Sequence, residues 1–207
     1  DFRAWGFLDT DGPYFRFRGT DNYWIKMGAN SPENILGFYQ FDGNYRHGDN
    51  ERDGEASAGA SLHRFSEHAQ DWQMGDPTWQ AGKGKNIIGA YNYLASKGMN
   101  SNYFLTMNIN GDGKDVWPFV SHTEFSRFDV SKLEQWNIVF DHMQRKGILL
   151  HLVIQETENE RLLDDGNTGP QRKLYFNELI ARFAHHPALV WNLGEENGPA
   201  EWSPVAQ

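Results

Sequence analysis

The chain has no cysteine, an absence that removes disulfides, thiolate metal sites and cysteine nucleophiles together and leaves the redox compartment open. Long apolar runs are missing too. No window approaches the roughly 18 consecutive apolar residues of a membrane span, so no membrane partner is expected. Asp1-Phe2-Arg3 does not open a signal segment, and the chain is expected to begin inside a longer polypeptide. Basic residues are in deficit, 19 Lys and Arg against 28 Asp and Glu, for a formal net charge of -9. A broad electrostatic attraction to nucleic acid is therefore not expected. There is no Gly-x-Ser-x-Gly elbow and no phosphate loop, since Gly82-Lys83-Gly84-Lys85 lacks the following Ser or Thr.

What is present is apolar and aromatic. The 207 residues are 39% hydrophobic, enough for one sizeable core, so one domain or part of one is expected. Eight Trp, eight Tyr and 14 Phe fill that core and leave flat faces of the kind on which sugar C–H groups stack. A neutral or cationic ligand suits the acidic balance.

Four segments run apolar and end in polar or acidic residues: Tyr23–Gly28, Asn102–Asn108, Ile148–Glu156 and Ala188–Glu196. The last two are almost continuously apolar, as parallel strands buried on both faces are. Helical spacing lies between them. Ile87, Tyr91 and Leu94 share a face before Lys97-Gly98. Ser131 and Glu134 form a capping-box pair ahead of Leu133, Trp136, Phe140 and Met143, with a stop at Gly147. Pro170 opens a helix carrying Tyr175, Leu179 and Phe183, and His186-Pro187 closes it. Strict alternation of strand and helix implies an α/β fold with a parallel sheet and right-handed crossovers. Residues 1–17 read as strand, turn, strand, a lead-in or the tail of a preceding β-sandwich, with the main domain over 18–207. The loops after strands are long, about 55 residues over 29–83 and a shorter excursion over 109–129, against few-residue helix-to-strand turns. Long loops at strand C-terminal ends are where barrel enzymes build their sites. Within the first, Asp42 to Ser61 has the composition of a disordered surface insertion.

The strongest chemical signal is Trp191-Asn192-Leu193-Gly194-Glu195-Glu196-Asn197. Two carboxylates directly after a buried strand are costly unless solvated, paired or used. They either cap the following helix or take part in chemistry, and the strand-end position favours chemistry. Neighbours on an extended chain point to opposite faces, so the pair does not act as a dyad. A glycosidase flanks the scissile bond with two carboxyl groups, roughly 5–5.5 Å apart for retention and 6.5–9.5 Å for inversion. Burial raises the pKa of the one that donates the proton. Glu196 is assigned that role and Glu195 a hydrogen-bonding one. In Gln155-Glu156-Thr157-Glu158-Asn159-Glu160, Glu156 and Glu158 share a side if the strand continues; they are substrate hydrogen-bonding groups or a solvated acidic loop. Asn108, Asn110 and Asp112 end the second strand, with Trp117 and Phe119 behind them as sugar platforms or core residues.

No metal or other cofactor is expected. Asn108–Gly113 and Asp49–Gly54 imitate the opening of a helix-loop-helix calcium site, but their twelfth positions are Phe119 and Ala60. His185-His186 suits a helix end, with no third ligand in register.

Asn192-Leu193-Gly194-Glu195-Glu196 resembles the fourth-strand motif of clan A glycoside hydrolases, where an Asn-Glu pair ends the strand and the Glu is the general acid/base. Four further stretches, Lys26–Asn34, Gly75–Trp79, Leu94–Asn100 and Gln155–Asn159, look like a bacterial group of secreted glycosidases. In that group the barrel follows a small β-sandwich and often precedes a domain named for collagen binding. The resemblance runs over nearly the whole chain. It implies a (β/α)₈ TIM barrel, here a partial barrel of about four parallel strands, acting on a poly- or oligosaccharide outside the cytoplasm. It also implies that Glu196 is the acid/base and that Glu195 replaces the usual Asn at the sugar 2-hydroxyl. Glu195, Asn108, Asp112, Trp117, Glu156 and Glu158 are the expected sugar contacts. The clan's nucleophile ends the seventh strand, beyond this chain. A complete barrel averages about 250 residues, so an N-terminal half, inactive by itself, is expected. A non-catalytic carbohydrate-binding protein is the rival. A polysaccharide lyase finds no convincing base cluster.

Overall fold

The computed structural model describes residues 1–30, 32–45, 47, 61–111 and 113–194. Three short strands, β1 (Leu8–Asp11), β2 (Tyr14–Phe17) and β3 (Tyr23–Trp24), form an antiparallel sheet in the order β1-β2-β3. Four more, β4 (Gly28–Ala29), β5 (Ser101–Leu105), β6 (Leu149–Val153) and β7 (Leu189–Asn192), form a parallel sheet in chain order. Helices α1 (Lys85–Ser96), α2 (Val130–Lys146) and α3 (Pro170–Phe183) occupy the three crossovers. The fold is therefore mixed α/β around a sequential parallel sheet, the alternation expected from the apolar pattern.

One expected strand is two. Tyr23 and Trp24 pair with Arg16 and Phe15 of β2, whereas Gly28 and Ala29 pair with Ser101 and Asn102 of β5. The stretch between them passes from one sheet to the other under the grip of a single side chain. Asn100 accepts from the Met27 amide (2.6 Å) and donates to the Ile25 carbonyl (2.8 Å). The antiparallel sheet accordingly runs past the lead-in expected over 1–17 and ends at Trp24.

The helices bury the faces their spacing marks. Leu133, Trp136, Phe140 and Met143 of α2 and Tyr175, Leu179 and Phe183 of α3 are wholly inside, as are Ile87 and Tyr91 of α1. They share one core with Phe104, Leu150 and Leu152, which point to the helix side of the sheet. The alternate residues point the other way. Tyr103 and His151 face each other in register and are half-buried, while Leu149 gathers with Phe2, Phe17 and Ala188 into a second cluster beneath the antiparallel sheet. The Leu8 amide donates to the Pro187 carbonyl (2.7 Å), tying β1 to the turn before β7.

The start of α2 differs from expectation. Its cap is Asp129, whose carboxylate accepts from the Lys132 amide, and not Ser131, whose hydroxyl donates to Asp42 instead (2.6 Å). Gly147 ends the helix at φ 76°, a left-handed conformation that costs glycine little.

One set of polar groups between the helices is paired across elements. His142 of α2 meets the Asn92 side-chain oxygen of α1 (2.9 Å), and Asn92 donates to Asp76 (2.6 Å). His142 is 2% exposed, and burial pushes its imidazole down to about 4 despite the Asp76 charge nearby. Below its unfolded pKa of about 6.5 the unfolded chain takes up a proton that the folded chain refuses. Stability from this group is full above that pH and is lost as pH falls toward 4. His63, His151 and His186 are pushed down by burial as well, so in urea unfolding the stability lost between pH 7 and 4 should be smaller in His142→Gln than in wild type by on the order of 2–3 kcal/mol. An identical loss in the variant would contradict this origin.

Candidate functional site

Register brings three strand ends level. Leu105 pairs with Val153, and Val153 with Asn192, so β5, β6 and β7 finish side by side. The alignment continues beyond the strands. The Thr106 amide donates to the Val153 carbonyl (2.9 Å), the Glu156 amide to Met107 (3.1 Å) and the Ile154 amide to Asn192 (2.9 Å). The β5 and β6 loops and the chain leading to Glu195-Glu196 therefore leave from one edge. Glu195, Glu196 and Asp112 themselves lie outside the described residues.

The loop after β6 does not continue as a strand. The Glu156 carboxylate accepts from the Glu158 amide (3.0 Å) and caps a single 3-10 turn over Thr157–Asn159. This turn removes the alternation that would have put Glu156 and Glu158 on one side. Glu156 is 5% exposed, whereas Glu158 is exposed. Asn159 then locks the two loops together, accepting from the Ile109 amide (2.7 Å) and donating to the Ile109 carbonyl (3.0 Å).

Arg172 organises the same loop from the first turn of α3. It donates to the Gln155 side chain (2.8 Å) and to the Asn167 (3.1 Å) and Glu160 carbonyls. Glu160 is buried, and its carboxylate oxygens meet no hydrogen-bond donor among the described residues; the Arg172 charge lies close enough to act on it. Neither Arg172 nor Glu160 stood among the expected site residues. The sequence does hold a signal for Arg172: a cation in a helix's first turn opposes the helix dipole and needs partners elsewhere.

The loop after β5 closes on itself. Asn108 and Val116 exchange backbone hydrogen bonds (2.8 and 2.7 Å), the Asn108 side chain donates to the Lys114 carbonyl (3.1 Å), and the Asn110 amide donates to Asp115 (2.8 Å). Asn108 is wholly buried, so its amide holds the loop and does not face solvent as the sugar contact expected of it. Trp117 is 1% exposed, edge-on to Tyr45 at 4.8 Å, and Phe119 is wholly buried. Both rings take the core alternative and neither presents a platform.

Lys132 underpins this loop from α2. Its ammonium donates to the Trp117 (3.1 Å) and Phe119 (3.3 Å) carbonyls and lies 5.1 Å from the Trp117 ring centroid. Burial pushes it down to about 8, against the nearby Asp129 and Asp42 charges. Lys132 falls on the same helical stripe as Trp136 and Val139, and a cation inside an apolar stripe is the sequence signal that it has partners in the core.

His185 and His186, for which the spacing gives no third ligand in register, have a ligand-type neighbour in space, Asp141 of α2. It is invisible to spacing because it comes from another helix. Burial, with His185 beside it, pushes the His186 imidazole down to about 3.

The chain matches no family model and no curated protein.

Gly111 sits where the β5 and β6 loops meet. A Cβ there would collide with the Glu156 carboxylate and the Asn108 side-chain oxygen. Gly111→Ala should cost about 1–3 kcal/mol in urea unfolding, because both neighbours are themselves held in place. A cost below about 0.5 kcal/mol, the usual bound for a surface substitution, would show that the two loops do not pack this closely.

Proposed function

We propose that this chain belongs to a glycoside hydrolase in which Glu196 is the general acid/base. The observation that carries the reading is the level finish of β5, β6 and β7, which sends three polar loops, among them the chain entering Glu195-Glu196, out of one sheet edge. The resemblance of Asn192–Glu196 to the strand-end motif of clan A supports the same assignment. Within this reading the parallel sheet is part of a (β/α)₈ barrel. The sheet side away from the helices, where Tyr103 and His151 are half-buried, is the barrel interior.

The reaction breaks a glycosidic C–O bond. The acid delivers its proton to the leaving oxygen as that bond opens, and a second carboxylate either attacks the anomeric carbon or activates the water that does. Glu156 is not that second group, since its carboxylate caps the turn after β6. It supports the site by holding the loop. Glu195 contacts the sugar by hydrogen bonding, Glu158 reaches substrate from its exposed position, and no cofactor takes part in the steps described. The substrate is a poly- or oligosaccharide met outside the cytoplasm.

Leaving-group dependence tests the acid. In the complete protein, with the nucleophile strand present, Glu196→Gln should lower kcat/KM on glycosides with poor, alkyl-type leaving groups by about a hundred- to ten-thousand-fold. Aryl glycosides whose leaving group needs little protonation should lose far less. Equal rates for wild type and variant on poor leaving groups would remove Glu196 from the chemistry. Sugar binding with no turnover by the complete wild-type protein, the strand carrying the nucleophile included, would make it a carbohydrate-binding one.

A further inference from the structure

The turn between α3 and β7 places two imidazoles beside a carboxylate. Ligand atoms of Asp141, His185 and His186 all lie within 4.8 Å of one another. His186 is buried, with its side chain 1% exposed, while the Asp141 side chain is 44% exposed and His185 is exposed.

The orientation of His186 is set from behind. Its Nε2 faces the Asn137 Oδ1 at 3.0 Å, an acceptor, so Nε2 carries the hydrogen. Nδ1 is left with its lone pair toward Asp141 Oδ1, 3.7 Å away. That separation is too long for a hydrogen bond, and it sets an imidazole lone pair against a carboxylate. A cation between them turns this opposition into attraction. An imidazole that donates its remote N–H to an amide oxygen and offers the other nitrogen outward is the usual posture of a metal-binding histidine.

The backbone carrying the pair is fixed. Gln144 accepts from the Ala188 amide (2.8 Å) and donates to the Ala188 carbonyl (3.1 Å), and Phe140 meets the His186 ring edge-on at 6.1 Å. Asn137, Asp141 and Gln144 are spaced four and three residues apart along α2, so one helical face builds the site.

We propose that Asp141, His185 and His186 bind a divalent transition-metal ion of the zinc class. Two imidazoles and one carboxylate fit zinc, with water in the fourth position on the exposed side. Bonds of about 2.0–2.1 Å put tetrahedral ligand atoms about 3.3 Å apart. His186 Nδ1 and Asp141 Oδ1 are already near that spacing, and exposed His185 closes the remainder by side-chain rotation. The site lies at the start of β7, the opposite end from the Asn192 edge, so the ion braces α2 against the α3–β7 turn and takes no part in sugar chemistry. It stands independently of the glycosidase reading.

The test uses the purified chain, stripped with chelator and titrated with Zn²⁺ alone. Co²⁺ is added in parallel, because its visible bands report coordination number. His185→Ala and Asp141→Asn alter exposed groups that the core does not need. Wild type should bind one equivalent, give the intense visible bands of four-coordinate Co²⁺ and unfold at higher temperature with zinc. Each variant should lose at least tenfold in affinity together with the thermal shift. Wild-type binding below one equivalent would overturn the proposal. So would unchanged affinity in both variants, which would put the ion elsewhere, such as at His47 and His122, whose rings stack with centroids 3.5 Å apart.

Discussion

The parallel register of β5, β6 and β7 is the constraint on which the rest depends. Side chains alternate across a sheet, so a slip of one residue would carry Phe104, Leu150 and Leu152 away from the helices and turn Tyr103 and His151 into the core. Burial of the helix-side row thus excludes any slip by an odd number of residues. The observed pairing puts Leu105, Val153 and Asn192 level. A common edge for three loops follows from this register, before any chemistry at the edge is considered.

What turns an edge into a shaped surface is a second kind of contact, between side chains and backbone. Asn100 grips Ile25 and Met27, Asn159 grips Ile109, and Gln144 grips Ala188, each donating to and accepting from the chain it holds. Arg172 and Lys132 do the same with donors alone, reaching carbonyls in the β6 and β5 loops. Backbone groups in buried loops lack ladder partners, and these amides and cations satisfy them. The loops are consequently built from buried polar residues, which from composition alone resemble ligand contacts.

This explains which features were legible in the sequence. Helix faces were, because a 3.6-residue period of large apolar side chains has one burial solution; Leu133, Trp136, Phe140 and Met143 are the clearest case. Strand order followed from the alternation of elements. The change of sheet between Trp24 and Gly28 was not legible, because Tyr23–Gly28 reads as one extended run and the division comes from Asn100, far along the chain. Asn108 and Trp117 were rightly singled out as unusual strand-end residues, yet what distinguishes a sugar contact from a loop support is the position of its neighbours. The Lys114 carbonyl and Tyr45 ring decide it. Asp141 escaped for the same reason, being a ligand-type residue one helix away from its histidines.

Cleavage of carbohydrate at the edge where β5, β6 and β7 end, with Glu196 supplying the proton, is the reaction we propose. The most direct measurement is an experimental structure with an uncleaved oligosaccharide analogue bound. Sugar should lie across that edge, with the Glu196 carboxyl within hydrogen-bonding distance, about 2.6–3.2 Å, of the glycosidic oxygen. Sugar bound elsewhere, or Glu196 capping a helix away from the bound oligosaccharide, would contradict it.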